Sequence, residues 1–225
     1  IRDRIRFDTA SPELAYRRGI QTFEEKEHLQ PFEDAKLYGH NAVHALAAYI
    51  GAVLDIERIA DLRHRPGIMD FLRSALVEES GGSLLHKYAG IDPFFTPEGY
   101  TCAADDLLSR MVNPYLQDTV ERVGRDPKRK LGWSDRLVGA MRLALKANIE
   151  PCRYAMGVAA ALTLIDASAP PAQLLPPIWR AERPDPNEVR VVLHHIESGC
   201  RRLTQWRDAG CPQLEALCYG NEYAN

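Results

Sequence analysis

The sequence has 225 residues, of which 45% are hydrophobic, so the chain can bury one sizeable core, alone or with an accessory segment. Its 28 basic against 31 acidic residues give a formal net charge of −3. Nucleic-acid binding usually leaves a basic excess, so this balance argues against nucleic acid as a partner. The longest apolar stretch, residues 155–165, is well short of the roughly 20 residues that span a bilayer. It is predicted to be a buried core helix, and no membrane partner is expected.

Residues 1–30 differ in character from the rest of the chain. Residues 5–9 and 19–23 alternate weakly between apolar and polar types, which predicts two short strands. Two short strands do not form a stable sheet alone. Because the sequence also begins without a methionine, we expect a truncated chain whose strands lack their sheet.

From Asp34 onward, apolar residues recur at spacings of three and four, as at Ile68, Leu72 and Leu76. This is helical periodicity, and it predicts a mostly α protein with about seven helices. Glycine and proline clusters predict loops, the last of them a surface loop or linker. The predicted loops are Gly81-Gly82, residues 124–130 and residues 170–177.

Local signals mark where several of these helices begin and end. Thr96 and Asp185 are capping residues placed directly before Pro97 and Pro186, and proline is favoured at the first helical position. Gly90 is a terminating glycine.

The cysteines form an odd set without a CxxC pair. Such a set indicates neither a complete disulfide framework nor a thiolate zinc site, so a reducing cytoplasm is the expected location. The five positions are Cys102, Cys152, Cys200, Cys211 and Cys218.

An unusual set of polar groups lies at the start of a predicted helix that is otherwise apolar through Ile50. At about 100° per residue, Lys36 and His44 lie about 80° apart and Asn41 lies about 60° beyond His44, so all three can face one cavity. A lysine that loses its proton, beside amide and imidazole donors, can deprotonate an alcohol and stabilise the developing oxyanion. The same trio also occurs by chance on many helices, with a purely structural role.

A metal site is the second interpretation of this helix. His40 and His44 are one turn apart, which is a zinc-ligand spacing. However, Asn41 stands where the HExxH motif of metalloproteases has its glutamate base, and no third ligand is evident. No metal is therefore predicted.

The spacing Lys36-x4-Asn41-x2-His44 resembles the catalytic signature of the zinc-independent, polyol-specific long-chain dehydrogenases, the mannitol dehydrogenase family. Within the family the similarity is closest to the mannitol-1-phosphate 5-dehydrogenases, and it covers roughly residues 20–165. Further similar blocks are residues 48–51, 78–81, 113–116 and 120–131.

The resemblance implies a fold and a domain organisation. Members have an N-terminal Rossmann-type dinucleotide-binding domain and a multi-helical C-terminal domain of the 6-phosphogluconate-dehydrogenase-like type. This sequence has no glycine-rich dinucleotide fingerprint. We therefore expect residues 1–30 to be the tail of a missing Rossmann-type domain, and residues 31–225 to be the helical substrate-binding and catalytic domain.

The resemblance also implies residue roles. Lys36 is the expected general base, while Asn41 and His44 are expected to hydrogen-bond the reacting oxygen. Glu33 matches a glutamate that gates proton exchange with solvent in some members, although Asp34 aligns better with others.

The basic run that includes GRDPKRK is usually a solvated loop, but its position in the family faces the substrate. Arg122 and Lys130 resemble the family's ligands of substrate hydroxyls. Arg125 and Arg129 are candidates for binding a phosphate, which a guanidinium suits. The run therefore points to a phosphorylated sugar.

Together these features predict an NAD-dependent oxidoreductase domain that interconverts D-mannitol 1-phosphate and D-fructose 6-phosphate, with NAD held mainly by the chain's own N-terminal domain. One alternative is a reductase of a related polyol or of a hexuronate such as fructuronate. Another is a catalytically silent helical module that binds a sugar acid or a protein, because a fold does not dictate a function.

Overall fold

The computed structural model describes Arg2–Asp3, Glu25–Lys26, residues 28–212, Leu214 and Cys218. Helices dominate this part of the chain, so the prediction of a mostly α domain is confirmed. The α-helices are α1 Gln30–Asp34, α2 Asn41–Val53, α3 Ile68–Ser74, α4 Gly82–Tyr88, α5 Pro97–Met111, α6 Val120–Gly124, α7 Pro127–Lys130, α8 Arg136–Lys146, α9 Cys152–Asp166, α10 Pro171–Trp179 and α11 Pro186–Asp208. Short 3₁₀ helices span Ile59–His64, Pro93–Phe95, Pro114–Leu116 and Arg180–Glu182.

Two π-helical turns lie at positions where one helix would be expected to end and the next to begin. Ala35–His40 joins α1 to α2, and Ala75–Gly81 joins α3 to α4. Each group of three segments runs on as one helix, so Gly81-Gly82 lies inside a helix and the predicted loop there is wrong. The physical reason is close packing: a Cβ on Gly81 would lie 2.8 Å from a ring carbon of Tyr100.

Short strands do occur near the N-terminus. Strands β1 Arg2–Asp3 and β2 Glu25–Lys26 pair in parallel, with Arg2 opposite Glu25. The predicted strands at residues 5–9 and 19–23 lie outside the described residues.

The predicted helix starts are confirmed. The Thr96 side chain accepts a hydrogen bond from the backbone N–H of Gly99, and Asp185 accepts from those of Asn187 and Glu188. Gly90 adopts a φ of 79° just after α4, as expected of a terminating glycine.

Helix α9 forms the centre of the core. Its side chains from Cys152 to Leu162 are all buried, which explains the unbroken apolar run in the sequence. Helices α2, α8 and α11 pack around it, and α11 buries one apolar face that includes Ile196 and Trp206. The catalytic candidates therefore lie at the start of a helix, α2, that is fixed in the core.

The proline-rich run is helical rather than a loop or linker. Residues Pro171–Trp179 form α10, with two prolines inside it. Leu175 and Trp179, one turn apart, are fully buried, and the Trp179 indole Nε1 donates to the backbone oxygen of Leu131 at 2.7 Å. These anchors outweigh the hydrogen bonds that the prolines remove. The predicted loop at residues 124–130 is likewise shorter, because α7 occupies its second half.

Two of the five cysteines are paired. Cys152 at the start of α9 forms a disulfide with Cys218, with 6.0 Å between their Cα atoms. Cys102, Cys200 and Cys211 are free thiols. Among the described residues, no single helix is long and apolar enough to cross a membrane; α9 and Pro171–Glu182 pass such a test only as a pair bent by 92°.

Candidate active site

The π-turn Ala35–His40 sets the geometry of the three catalytic candidates. In it the backbone N–H of Asn41 donates to the oxygen of Lys36, five residues earlier. Residues five apart lie about 140° apart around an α-helix, but only about 50° beyond a full turn around a π-turn, so Lys36 and Asn41 come closer to the same side. His44, three residues further along α2, lies within about 60° of Asn41. The turn thus aligns the trio more closely than a regular helix would.

Of the three candidates, Lys36 lines an open cavity beside the π-turn. Lys36 and His40 lie on the wall of an open cavity of about 830 Å³ between α5 and the first turns of the catalytic helix. Asn41 and His44 are not among the residues that line this cavity. A shared site for the three residues therefore stays a prediction.

The cavity has an apolar floor and a cationic rim. Lys36 is exposed at the rim, near His40 and Arg110. Burial lowers the pKa of His40, and the charges of Arg110 and Lys36 act in the same direction. The apolar lining includes Phe32, Leu76, Phe94, Tyr100, Ala104 and Leu107. The cavity thus offers both apolar side chains and cations to a ligand.

His44 lies further along the helix, facing α6. Burial lowers the pKa of His44 to about 4, with His40 and Arg122 acting in the same direction. The Asp118 carboxylate, 3.5 Å from Nε2 of His44, would favour a charged ring, but it is itself paired with Arg122. We therefore take the ring as neutral at pH 7. Within the described residues Nε2 is buried and has no hydrogen-bond partner.

The lowered pKa of His44 predicts that the protein becomes less stable as the pH falls. The unfolded ring takes up a proton near pH 6.5, whereas the folded ring does so near pH 4. Between these values the unfolded state binds more protons, so the free energy of unfolding falls as the pH falls, by at most about 3 kcal/mol. In urea unfolding from pH 7 to 4, His44→Gln should be less acid-sensitive than wild type. His64→Gln, which changes an exposed histidine, should behave as wild type, and an unchanged slope in His44→Gln would contradict the prediction.

Lys130 is buried rather than solvated. Its side chain is 4% exposed, and its Nζ donates to the backbone oxygens of Val123, at 2.8 Å, and of Arg125. Burial lowers the pKa of Lys130 to about 8, with Arg136 and Arg129 acting in the same direction. An ammonium has three donors, so one remains for a substrate hydroxyl.

The three arginines of the basic run differ in their availability. Arg122 pairs with Asp118. Arg129 pairs with Asp126 at 2.8 Å and with Asp135 at 3.4 Å. Arg125 is exposed and has no ion-pair partner in the described ranges, so its guanidinium is the one most available to an anion.

The two acidic residues considered for proton relay, Asp34 and Glu33, differ in their hydrogen-bond partners. Burial alone would raise the pKa of Asp34, but hydrogen bonds from Lys87, Tyr88 and Gln30 lower it overall. Its carboxylate is therefore occupied by structural partners. Glu33 is exposed, and the described structure gives its carboxylate no partner, so the role in proton relay stays a prediction for Glu33.

Two further charged residues interact with the candidate residues and were not predicted from the sequence. Asp118 lies beside both His44 and Arg122, and Arg136, 18% exposed, acts electrostatically on His44 and Lys130. Because Arg136 directly follows the capping residue of α8, the sequence around it looks like that of an ordinary helix start. Among the described residues no group of three or more His, Cys, Asp or Glu side chains could hold a metal.

The sequence matches a known protein family over most of its length. Residues 28–187 match the sequence profile of the mannitol dehydrogenase C-terminal domain. The chain belongs to the mannitol dehydrogenase family. It is 39% identical over 144 residues to the mannitol-1-phosphate 5-dehydrogenase of Bacillus licheniformis, which covers 64% of this chain and 36% of that protein. The chain thus spans about a third of that relative's length.

A solved structure shares the fold of this family member. The crystal structure of D-sorbitol dehydrogenase in substrate-free form matches with a TM-score of 0.64 at 16% identity. The match covers 85% of this chain and 42% of that one. The expected fold, the multi-helical C-terminal domain of the mannitol dehydrogenase family, is therefore confirmed.

Proposed function

We propose that this chain is the substrate-binding and catalytic domain of an NAD-dependent oxidoreductase that interconverts D-mannitol 1-phosphate and D-fructose 6-phosphate. The main support is the alignment of Lys36, Asn41 and His44 by a π-turn, beside a cluster of cations, in a member of this family. The 39% identity to a mannitol-1-phosphate 5-dehydrogenase supports the phosphorylated substrate.

In this proposal the three residues act on the alcohol oxygen. The unprotonated Lys36 amine accepts the hydroxyl proton while the C–H bond of the same carbon breaks and its electron pair leaves as hydride. Asn41 and the neutral ring of His44 donate hydrogen bonds to the oxygen while it carries negative charge, and the carbonyl forms as the hydride leaves. When bound, the nicotinamide supplies the hydride acceptor.

This chain carries only part of the equipment for NAD. Its sequence contains no glycine-rich fingerprint of the kind that holds a pyrophosphate at a helix N-terminus. In the proposal, residues 31–225 form the helical domain and residues 1–30 belong to a Rossmann-type domain. The cavity beside Lys36 then faces that domain, which would also supply the burial that a lysine base needs.

The proposal predicts substrate selectivity. The chain, joined to a dinucleotide-binding domain, should reduce NAD with D-mannitol 1-phosphate and prefer it to D-mannitol by about ten- to a hundredfold in kcat/KM. NADH formation at 340 nm is the measurement. Faster reduction of fructuronate than of fructose 6-phosphate would favour a hexuronate reductase instead. A folded two-domain protein without turnover on any of these would favour a silent binding module.

A further inference from the structure

The two π-turns of this domain lie side by side. Ala35–His40 carries Lys36, and Ala75–Gly81 carries a buried serine, Ser80. A π-turn is a rare and locally unfavourable conformation that persists where its surroundings hold it. The contacts between the two turns therefore decide whether the catalytic helix keeps its geometry.

Ser80 connects the turns directly. Its hydroxyl oxygen is 2.5 Å from the backbone oxygen of Tyr38, in the middle of the catalytic π-turn, and 2.6 Å from the hydroxyl of Tyr154. A carbonyl can only accept, and a serine hydroxyl has one proton to give. Ser80 therefore donates to Tyr38, and Tyr154 donates to Ser80.

The Tyr154 end of this chain of two hydrogen bonds is fixed in the core. The Glu79 carboxylate accepts hydrogen bonds from the backbone N–H groups of Arg153, at 2.7 Å, and Tyr154, at 3.1 Å. It thereby holds the first turn of α9, the most buried helix. Ser80 transmits the position of that helix to the carbonyl of Tyr38.

Packing on the opposite side leaves the catalytic turn little freedom. A Cβ on Gly39 would lie 2.7 Å from the hydroxyl oxygen of Tyr100, so this position accepts no larger side chain without movement. The Tyr100 ring also contacts Gly81 of the second turn. The two turns thus share a hydrogen bond and the contacts of one aromatic ring.

We propose that Ser80 is a positioning residue for the reaction, because its hydroxyl holds the π-turn that brings Lys36 and Asn41 closer to the same side of the helix. Its effect on rate rests on the function proposed above, whereas its effect on the turn does not. Without the hydroxyl, a relaxation toward α-helical geometry moves Asn41 to about 140° from Lys36. The amine and the amide then no longer meet at one oxygen.

The first test measures the turn itself, by NMR-detected hydrogen exchange on the chain. In Ser80→Ala the amides from Gly39 to Asn41 should exchange about tenfold faster relative to those of α11, the effect expected from losing one buried hydrogen bond. Ser83→Ala is the matched control. Ser83 is equally buried, but its hydroxyl bonds to the backbone oxygens of Glu79 and Ser80 within its own helix. Equal changes in both variants, or none in Ser80→Ala, would overturn the proposal.

The second test measures turnover in the two-domain enzyme. Ser80→Ala should lower kcat about ten- to a hundredfold with KM for the sugar phosphate nearly unchanged, since misplacement of catalytic groups costs on this order. Ser80→Thr, which keeps the hydroxyl, should recover part of kcat, and Ser83→Ala should keep it. A Ser80→Ala enzyme with wild-type kcat would overturn the positioning role. A wild-type enzyme that oxidises no polyol phosphate would overturn the proposed function instead, while hydrogen exchange still decides whether Ser80 holds the turn.

Discussion

Replacing Lys36 by alanine in the two-domain enzyme is expected to lower kcat for polyol oxidation about 10²- to 10⁴-fold, the usual contribution of a general base. Lys36 is exposed at the cavity, and within the described residues its side chain has no hydrogen bond or ion pair. The fold should therefore survive the change. Steady-state oxidation of D-mannitol 1-phosphate, with circular dichroism to verify folding, is the measurement.

The pH profile tests the same role independently. Only an unprotonated amine accepts a proton, so wild-type kcat/KM for oxidation should rise with pH, and this rise should be lost in Lys36→Ala. Lys146→Ala, at an exposed lysine in the last turn of α8, should retain both the rate and the profile. A Lys36→Ala enzyme that kept its rate and pH dependence would place the base elsewhere. His44 is then the next candidate, because its neutral ring can accept a proton.

Much of the fold was predictable because its determinants are local. Thr96 and Asp185 cap helices by accepting N–H groups three or fewer residues away, so the pattern around them is sufficient. Residues 155–162 are apolar throughout because this part of α9 is buried on all sides. The family could be inferred since Lys36, Asn41 and His44 keep their spacing whatever the local helix type.

The π-turns were not predictable from local pattern. Their residues have ordinary helical preferences, and the stabilising contacts come from distant residues, such as Ser80 for Tyr38 and Tyr100 for Gly39. In a regular helix Asn41 would lie far around the axis from Lys36. In the structure, tertiary contacts hold the π-turn that places Asn41 closer to Lys36. The prolines of α10 led to the prediction of a loop for the same reason. The burial of Leu175 and Trp179, which stabilises the helix, is a tertiary effect.

The basic run shows how burial separates residues that look alike in sequence. Lys130 and Lys128 differ by two positions, yet one is buried on backbone oxygens and the other is exposed. Arg125 and Arg129 also look equivalent as phosphate ligands, but only Arg129 already binds two carboxylates. Sequence carries no signal for these differences, since they depend on where the short helix α7 lies.

This difference leads to a ranked prediction about phosphate. Arg125→Ala should raise KM for D-mannitol 1-phosphate about ten- to a hundredfold, the value of one charge-assisted contact, and leave KM for D-mannitol nearly unchanged. Arg129→Ala should have a smaller effect, because binding of a phosphate by Arg129 competes with its pairs to Asp126 and Asp135. Initial-rate kinetics with both substrates give the comparison.

Lys128→Ala is the matched control for Arg125, because it removes one positive charge from the same exposed segment. A long-range electrostatic effect would raise KM equally in both variants and would weaken as ionic strength rises, since surface charges are screened over about 10 Å at 0.1 M salt. A direct contact instead makes Arg125→Ala worse than Lys128→Ala at every salt concentration. Equal losses on the phosphorylated and the free polyol would remove Arg125 from the phosphate site and favour an unphosphorylated substrate.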